Sequence, residues 1–198
     1  EPGVEQLEAG RYRRTIELDG CQGSIDVAPL RDRTALAATI RFADVRALPT
    51  IIARIRNLFD LRSDVAAIQS QLAEDAALAA LIAVRPGLRV PGAWDAFELA
   101  VRAVLGQQVS VSAARGLAAK LVAAYGEPFA SETEPGLTRV FPRPARLAEA
   151  DLAQLGMPRA RAAALRALAE AAAADPQLFD CDGDLATKIA RLCKLPGI

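Results

Sequence analysis

Histidine is absent from all 198 residues. That absence removes imidazole metal ligands, Ser-His-Asp triads and Cys-His dyads from anything the chain does with its own side chains. Cysteine is scarce: Cys21, Cys181 and Cys193 lie far apart and form no C-x-x-C pair. A zinc or iron–sulfur centre held by this chain alone is not expected. The odd, sparse thiol count suits a reducing compartment better than a disulfide scaffold. Net charge is missing too, because 24 Lys and Arg balance 24 Asp and Glu. Coating a polyanion by bulk charge is thereby excluded, whereas a local basic surface is not. The longest apolar stretch, around ALAALIAV at 77–84, is too short to span a bilayer. No signal peptide is legible. The chain opens Glu1-Pro2-Gly3 without methionine and stops at Ile198, just past a Pro-Gly pair of the kind that opens a turn. Both ends read as cut, so a fragment is expected.

What is present favours helices. Hydrophobic residues make up 52% of the chain and aromatics only 5%, leaving Ala, Leu and Val, of which Ala and Leu lose little side-chain entropy in a helix. The N-terminal stretch nonetheless alternates with period two. In RYRRTIEL (11–18), Tyr12, Ile16 and Leu18 share one face, and Arg13, Thr15 and Glu17 the other. Ile25 and Val27 repeat the pattern, as do Leu36, Ala38, Ile40 and Phe42, with turns at DGCQG (19–23) and PLRDR (29–33). A three-stranded antiparallel meander is predicted, solvated on one side and covered by a helix over 46–59.

From Ser63 the period becomes 3.6. Ser63 or Asp64 caps a predicted helix running to about Val84, and RPGLRVPG (85–92) links it to a helix over 93–108. A further helix covers 110–126, with Gly126 as its C′ residue. Residues 127–146 read as loop, and helices are predicted over 147–155 and 158–174. Asp184 caps a last helix whose Leu185, Ile189 and Leu192 face the core. The fold class is therefore α+β: an N-terminal antiparallel α+β domain at 1–62, then an all-α domain at 63–198.

Three places could carry chemistry. The ending LPGI presents backbone N–H groups around a tight turn, a nest able to hold a phosphate without reading a base. Lys188, Arg191 and Lys194 precede it. The alternative is a simple helix stop, with those cations complementing the helix dipole. In GQQVSVSAA (106–114), Gln107, Gln108, Ser110 and Ser112 stand in a loop between apolar helices, ready for bases or phosphates. Equally, Gly106 is a C-cap, Ser110 an N-cap, and the glutamines face water. FDCDGD (179–184) lacks the closing glutamate of a calcium loop and reads as a solvated turn capped by Asp184. The densest basic stretch, with Arg139, Arg143, Arg146, Arg159, Arg161 and Arg166, reads as solvated faces.

Together these residues resemble a known family. RPGLRVPGAWDAFELAVRAVLGQQVSVSAARGLAAKLVAAYGEPF (85–129), NLFDL (57–61), LGMPRARAAALRALA (155–169) and the terminal LPGI are similar to the bacterial 3-methyladenine DNA glycosylase II family (AlkA), a branch of the helix-hairpin-helix glycosylases. The N-terminal meander resembles that family's first domain, half of a TATA-binding-protein-like unit. The resemblance implies base-excision repair: an alkylated purine is flipped from the stack and its N-glycosidic bond hydrolysed. It implies DNA contacts at Gln107, Gln108, Val109 and Ser110 and at Leu195, Pro196, Gly197 and Ile198. Gln108 would stand where the family wedges a residue into the gap left by the flipped base. It further implies a monovalent cation, Na+ or K+, on the backbone carbonyls of Cys193, Leu195 and Ile198, and no cofactor for the chemistry. The catalytic aspartate is expected beyond Ile198, so the 198 residues by themselves are expected to be inactive. Asp95 reads as a cap and not as that aspartate. The expected partner is double-stranded DNA with alkylated bases, met by a monomer in the bacterial cytoplasm at the nucleoid, with no membrane and no nucleotide cofactor. The alternative is a non-catalytic DNA-binding or regulatory module, fused in some proteins to a methylation-responsive transcription regulator. A structural domain using the alanine-rich helix 158–174 would leave GQQVS unexplained.

Overall fold

Period-two alternation builds a four-stranded antiparallel sheet, β1 (Glu5–Glu8), β2 (Arg11–Leu18), β3 (Cys21–Pro29) and β4 (Leu36–Phe42), in sequence order. The computed structural model describes residues 2–131, 134–179 and 184–197. The three predicted strands are present, and β1 is an edge strand that the sequence pattern did not announce. Asp19 and Gly20, at φ +50° and +82°, form the two-residue turn between β2 and β3. Positive φ at both central positions is what a tight hairpin between right-twisted strands requires.

The face expected to be solvated is covered. Thr15 and Ser24, opposite one another in the β2–β3 register, are each 1% exposed. The segment predicted as loop lies over them. Within it, β5 (Glu127–Pro128) pairs with β6 (Arg139–Val140). Thr15 Oγ1 donates to the Arg139 carbonyl at 2.8 Å, and the amides of Thr138 and Arg139 donate to the Gly3 carbonyl at 2.8 and 3.0 Å. Glu134, 2% exposed, pairs with Arg41 and, at 3.7 Å, with Arg13. Alternation reports which face is polar, and here the polar face is satisfied by other polar chain instead of by water.

By compactness the chain forms two units, Glu1–Val45 with Ala96–Ile198, and Arg46–Asp95. The boundary expected at residue 62 falls inside the second. That unit contains a short 3-10 turn (Val45–Ala47 at its entrance), α1 (Leu48–Leu58), α2 (Val65–Leu72) and α3 (Ala76–Val84). The long helix predicted from 63 or 64 to 84 is broken. Asp64 caps α2 through the Ala67 amide at 3.0 Å, and Asp75 restarts the chain as the cap of α3, accepting from Ala77 and Leu78 at 2.8 and 3.2 Å. A carboxylate aimed at its own backbone competes with helix continuation. Residues 85–95 return along the end of α1, with the Gly92 amide on the Leu58 carbonyl at 3.0 Å and Arg54 stacked 5.4 Å over Trp94.

In the larger unit the helical core is formed by α4 (Ala96–Gly106), α5 (Val111–Tyr125), α6 (Pro144–Ala148), a 3-10 turn (Leu152–Leu155) and α7 (Arg159–Ala174). Val101, Leu105, Leu121, Leu147, Leu165 and Leu168 are at most 1% exposed. Gly126 is no left-handed C′ residue. It leaves α5 at φ −64°, and a Cβ there would stand 2.6 Å from the Val122 carbonyl and 2.8 Å from that of Val140, so close approach explains the glycine. Last comes α8 (Leu185–Leu192), capped by Asp184 on the Thr187 amide at 3.2 Å. Of its expected core residues, Leu192 packs against the core but Ile189 is 53% exposed, and the side chain of Leu185 lies outside the described residues.

Candidate nucleic-acid interface

The apolar stripe of α4 ends at Leu105, and the chain then reverses through a loop exposed to solvent. Gly106 is still helical. The C-cap reading of Gly106 thus places the cap one position early, and the left-handed residue of the loop is Gln108, at φ +53°. Few non-glycine residues adopt that region, and those that do so most readily are the short Asn and Asp, so a glutamine there is held by its surroundings. Ser110 then caps α5, its Oγ accepting from the Ala113 amide at 3.2 Å. Gly106, Gln107, Gln108 and Ser110 are exposed, and Val109 is half-buried.

This loop meets the end of the chain. Gln107 Nε2 donates to the Gly197 carbonyl at 3.1 Å, across 90 residues of sequence. Cys193 and Lys194 leave α8, Leu195 packs against the core, and Pro196 and Gly197 are exposed. Gly197 has φ +80°, and a Cβ on it would lie 2.7 Å from the Ala164 Cβ of α7. Only glycine fits a turn that is both left-handed and pressed on a helix. The two segments singled out from sequence, Gln107–Ser110 and Leu195–Gly197, thus share one exposed surface. Ile198 lies outside the described residues, as do Asp180, Cys181 and Asp182 of the acidic turn. The cation set therefore has two described members, Cys193 and Leu195.

The basic stretch is not a uniform solvated face. Arg139 donates to the Gly126 carbonyl at 3.0 Å, Arg166 to the Ala150 carbonyl at 2.9 Å, and Arg143 pairs with Glu17 at 2.9 Å. Arg161, at the start of α7, donates to the Gln107 carbonyl at 2.5 Å. Lys194 and Arg159 remain exposed beside the loop's anchor points, while Arg191 is engaged by Asp175. A cavity of about 360 Å³ adjoins the loop, lined by Leu99, Ala100, Ala103 and Gln107 of the α4 side and by Leu168, Phe179 and Leu192.

The α4 helix that carries the loop is tied to the sheet by buried charges. Glu98 is 5% exposed and accepts from Arg14 Nη2 at 2.7 Å and from Arg102 at 2.6 Å. Arg102 also reaches Glu5 at 2.8 Å, and the Tyr12 hydroxyl donates to Glu5 at 2.5 Å. Burial pushes the Glu5 carboxyl up, but Arg102, the Tyr12 hydroxyl and Arg14 outweigh it and bring the pKa down to about 2. Burial, aided by Glu5 and Glu98 against the pull of Arg14, holds the Tyr12 phenol well above its usual range. Burial lowers Arg14, and the Glu98 carboxylate more than restores it. Glu98 and Arg102 are four residues apart on α4, a spacing the sequence carries, whereas the contacts of Glu98 with Arg14 and of Arg102 with Glu5 join different elements and leave no local pattern. Asp95, read as a cap, pairs with Arg54 at 3.6 Å. Among the described residues no cluster of three or more His, Cys, Asp or Glu could hold a metal ion, and no helix is long and apolar enough to cross a membrane.

Comparison with known proteins places the chain in a family. Residues 2–95 match the AlkA N-terminal domain, and residues 101–196 match the HhH-GPD superfamily base excision DNA repair protein model. The chain is 39% identical over 197 residues to the probable bifunctional transcriptional activator/DNA repair enzyme AlkA of Mycobacterium tuberculosis, covering 100% of this chain and 39% of that protein. It is 36% identical over 198 residues to DNA-3-methyladenine glycosylase 2 of Escherichia coli, covering 98% of this chain and 67% of that one. Among solved structures, the 3-methyladenine DNA-glycosylase of Archaeoglobus fulgidus superposes with a TM-score of 0.73 at 23% identity, over 84% of this chain and 57% of its own. The chain thus spans about two fifths of the mycobacterial relative. On sequence and fold together, this chain belongs to the AlkA family within the HhH-GPD superfamily of base excision DNA repair proteins.

Proposed function

We propose that this chain is the DNA-engaging part of a DNA N-glycosylase that removes alkylated purines of the 3-methyladenine type. The observation that carries the reading is the bond between Gln107 and Gly197, which sets an exposed polar loop and an exposed glycine turn side by side. Gln107, Gln108, Val109 and Ser110 face the duplex gap, with the Gln108 side chain filling the space of the flipped base and its amide reaching the orphaned partner. In the Leu195-Pro196-Gly197-Ile198 turn, the backbone N–H groups that follow Pro196 are offered to a phosphate, Pro196 having none of its own, and Lys194 adds charge. In the reaction, water replaces the base at the sugar anomeric carbon. The cationic, oxocarbenium-like state is stabilised by a carboxylate of the whole protein. A positively charged alkylated base is preferred because it leaves more readily and stacks on aromatic faces.

The reading includes a monomer acting on nucleoid DNA in the bacterial cytoplasm, with neither a nucleotide cofactor nor a metal in the chemistry. It also includes Na+ or K+ on the carbonyls of Cys193, Leu195 and Ile198, which equal DNA affinity after exchange of that cation for choline would refute. The decisive assay is release of methylated base from an alkylated duplex by the full-length protein. Abasic sites are expected on methylated but not on undamaged duplex, with Gln108→Ala slowing release about tenfold, the scale of lost gap-filling contacts. Equal release by wild type and Gln108→Ala would remove Gln108 from the wedge role. A second reading, a repair module fused to a regulator, is favoured by the name of the mycobacterial relative and by the share of it that the chain covers.

A further inference from the structure

Gln107 is held at both ends by groups far away in the chain. Its carbonyl accepts from Arg161 Nη2 at 2.5 Å, and its side-chain Nε2 donates to the Gly197 carbonyl at 3.1 Å. Arg161 and Ala164 lie three residues apart, on neighbouring turns of one face of α7. Ala164 is also the residue against which Gly197 rests. One side of α7 therefore supports both the loop and the turn. The carbonyl of Gln107 belongs to the same rigid peptide plane as the Gln108 amide, because the C–N bond does not rotate. Fixing that carbonyl fixes the plane from which the Gln108 φ of +53° is measured. Left alone, a glutamine favours negative φ, which would swing its side chain away from the present direction.

We propose that Arg161 and Gln107 are positioning residues that act as a latch. Arg161 holds the 107–108 peptide plane so that Gln108 stays left-handed, and the Gln107 amide ties the loop to the Gly197 turn. The loop and the turn then meet DNA as one preset surface, and little ordering is left to be done on binding. This rests on the DNA-engaging reading above. The competing role for Arg161 is a direct phosphate contact, and the two roles differ in what they predict.

The test has one arm without DNA and one with it. In the free protein, backbone 15N order parameters of residues 107–109 are expected near about 0.85 in wild type and below about 0.6 in Arg161→Ala. Val101 and Val104 in α4 should be unchanged, which reports that the variant is folded. Gln107→Ala should loosen the same residues while leaving Arg161 in place. With a methylated duplex, Arg161→Ala is expected to weaken binding about tenfold with an unaltered salt slope. It should add nothing when Gln108 is already alanine, since a residue acting through Gln108 is non-additive with it. A phosphate contact would instead lower the salt slope by about one and add fully to Gln108→Ala. Unchanged loop order parameters, or additive losses with a reduced slope, overturn the latch. Should wild type fail to bind the duplex while the order parameters respond as stated, the DNA reading falls and the latch stands.

Discussion

The Arg14–Glu98 pair makes a demanding prediction. Both side chains are almost wholly removed from water, at 3% and 6% exposure, and meet at 2.7 Å. Removing one partner of a buried pair costs about 3–5 kcal/mol, chiefly because the remaining charge stays in a medium that solvates it poorly. Arg14→Met should fall near the lower end, at about 3 kcal/mol, since Glu98 keeps Arg102 at 2.6 Å. Glu98→Leu should cost about 4 kcal/mol, because it takes the same carboxylate from both arginines. The double variant Arg14→Met/Glu98→Leu replaces the pair by apolar volume and should cost about 4 kcal/mol, no more than the worse single change. Urea titrations of the four proteins give the coupling directly, provided the m-value is constant. Additive losses, about 7 kcal/mol in the double variant, would refute the reasoning. They would mean that Arg14 and Glu98 are each held by other groups and that their contact contributes nothing of its own.

Acid should act on the same network through Glu5. Its carboxyl titrates near 4.5 in the unfolded chain and at about 2 when folded. The folded state therefore gains about 3 kcal/mol that is present above pH 4.5 and lost as the pH falls towards 2. Urea midpoints measured down this range should fall, and Glu5→Gln should flatten that limb; an equally steep limb in the variant would remove Glu5 as its cause. At the alkaline end the raised Tyr12 pKa has the opposite sense: stability should fall above pH 10, the ordinary phenol value, as the unfolded chain loses a proton that the folded one keeps. At the interface, Gly197→Ala must adopt φ +80° and place a Cβ 2.7 Å from the Ala164 Cβ. A loss of about 1–2 kcal/mol from the backbone alone is expected, together with weaker duplex binding. Unaltered affinity would show that the turn does not touch DNA.

Several elements were readable from local pattern because their causes are local. The Asp19-Gly20 hairpin, the Asp64, Ser110 and Asp184 caps and the apolar stripe of α4 each depend on neighbours within a few residues. The break at Asp75 belonged to the same class and was missed, since an unbroken alanine-rich run masks a cap that competes with it. The candidate loop was legible as polar residues stranded between apolar helices. Its left-handed residue, Gln108, carries no local signal, since positive φ is usually left to glycine.

What the sequence by itself determined about this protein is therefore the kind of each segment, strand, helix, turn or polar loop, together with the family to which 57–61, 85–129 and 155–169 point. Only the tertiary structure decided which segments meet. It laid residues 134–140 on the polar face of the sheet, set Glu98 against Arg14, and brought Arg161 and Gly197 to the two ends of Gln107. The physical reason is that periodicity and capping arise from contacts a few residues apart and leave a repeat in the chain. A hydrogen bond across 90 residues leaves none: any polar group fits it equally well until packing of the core fixes where the two backbones run.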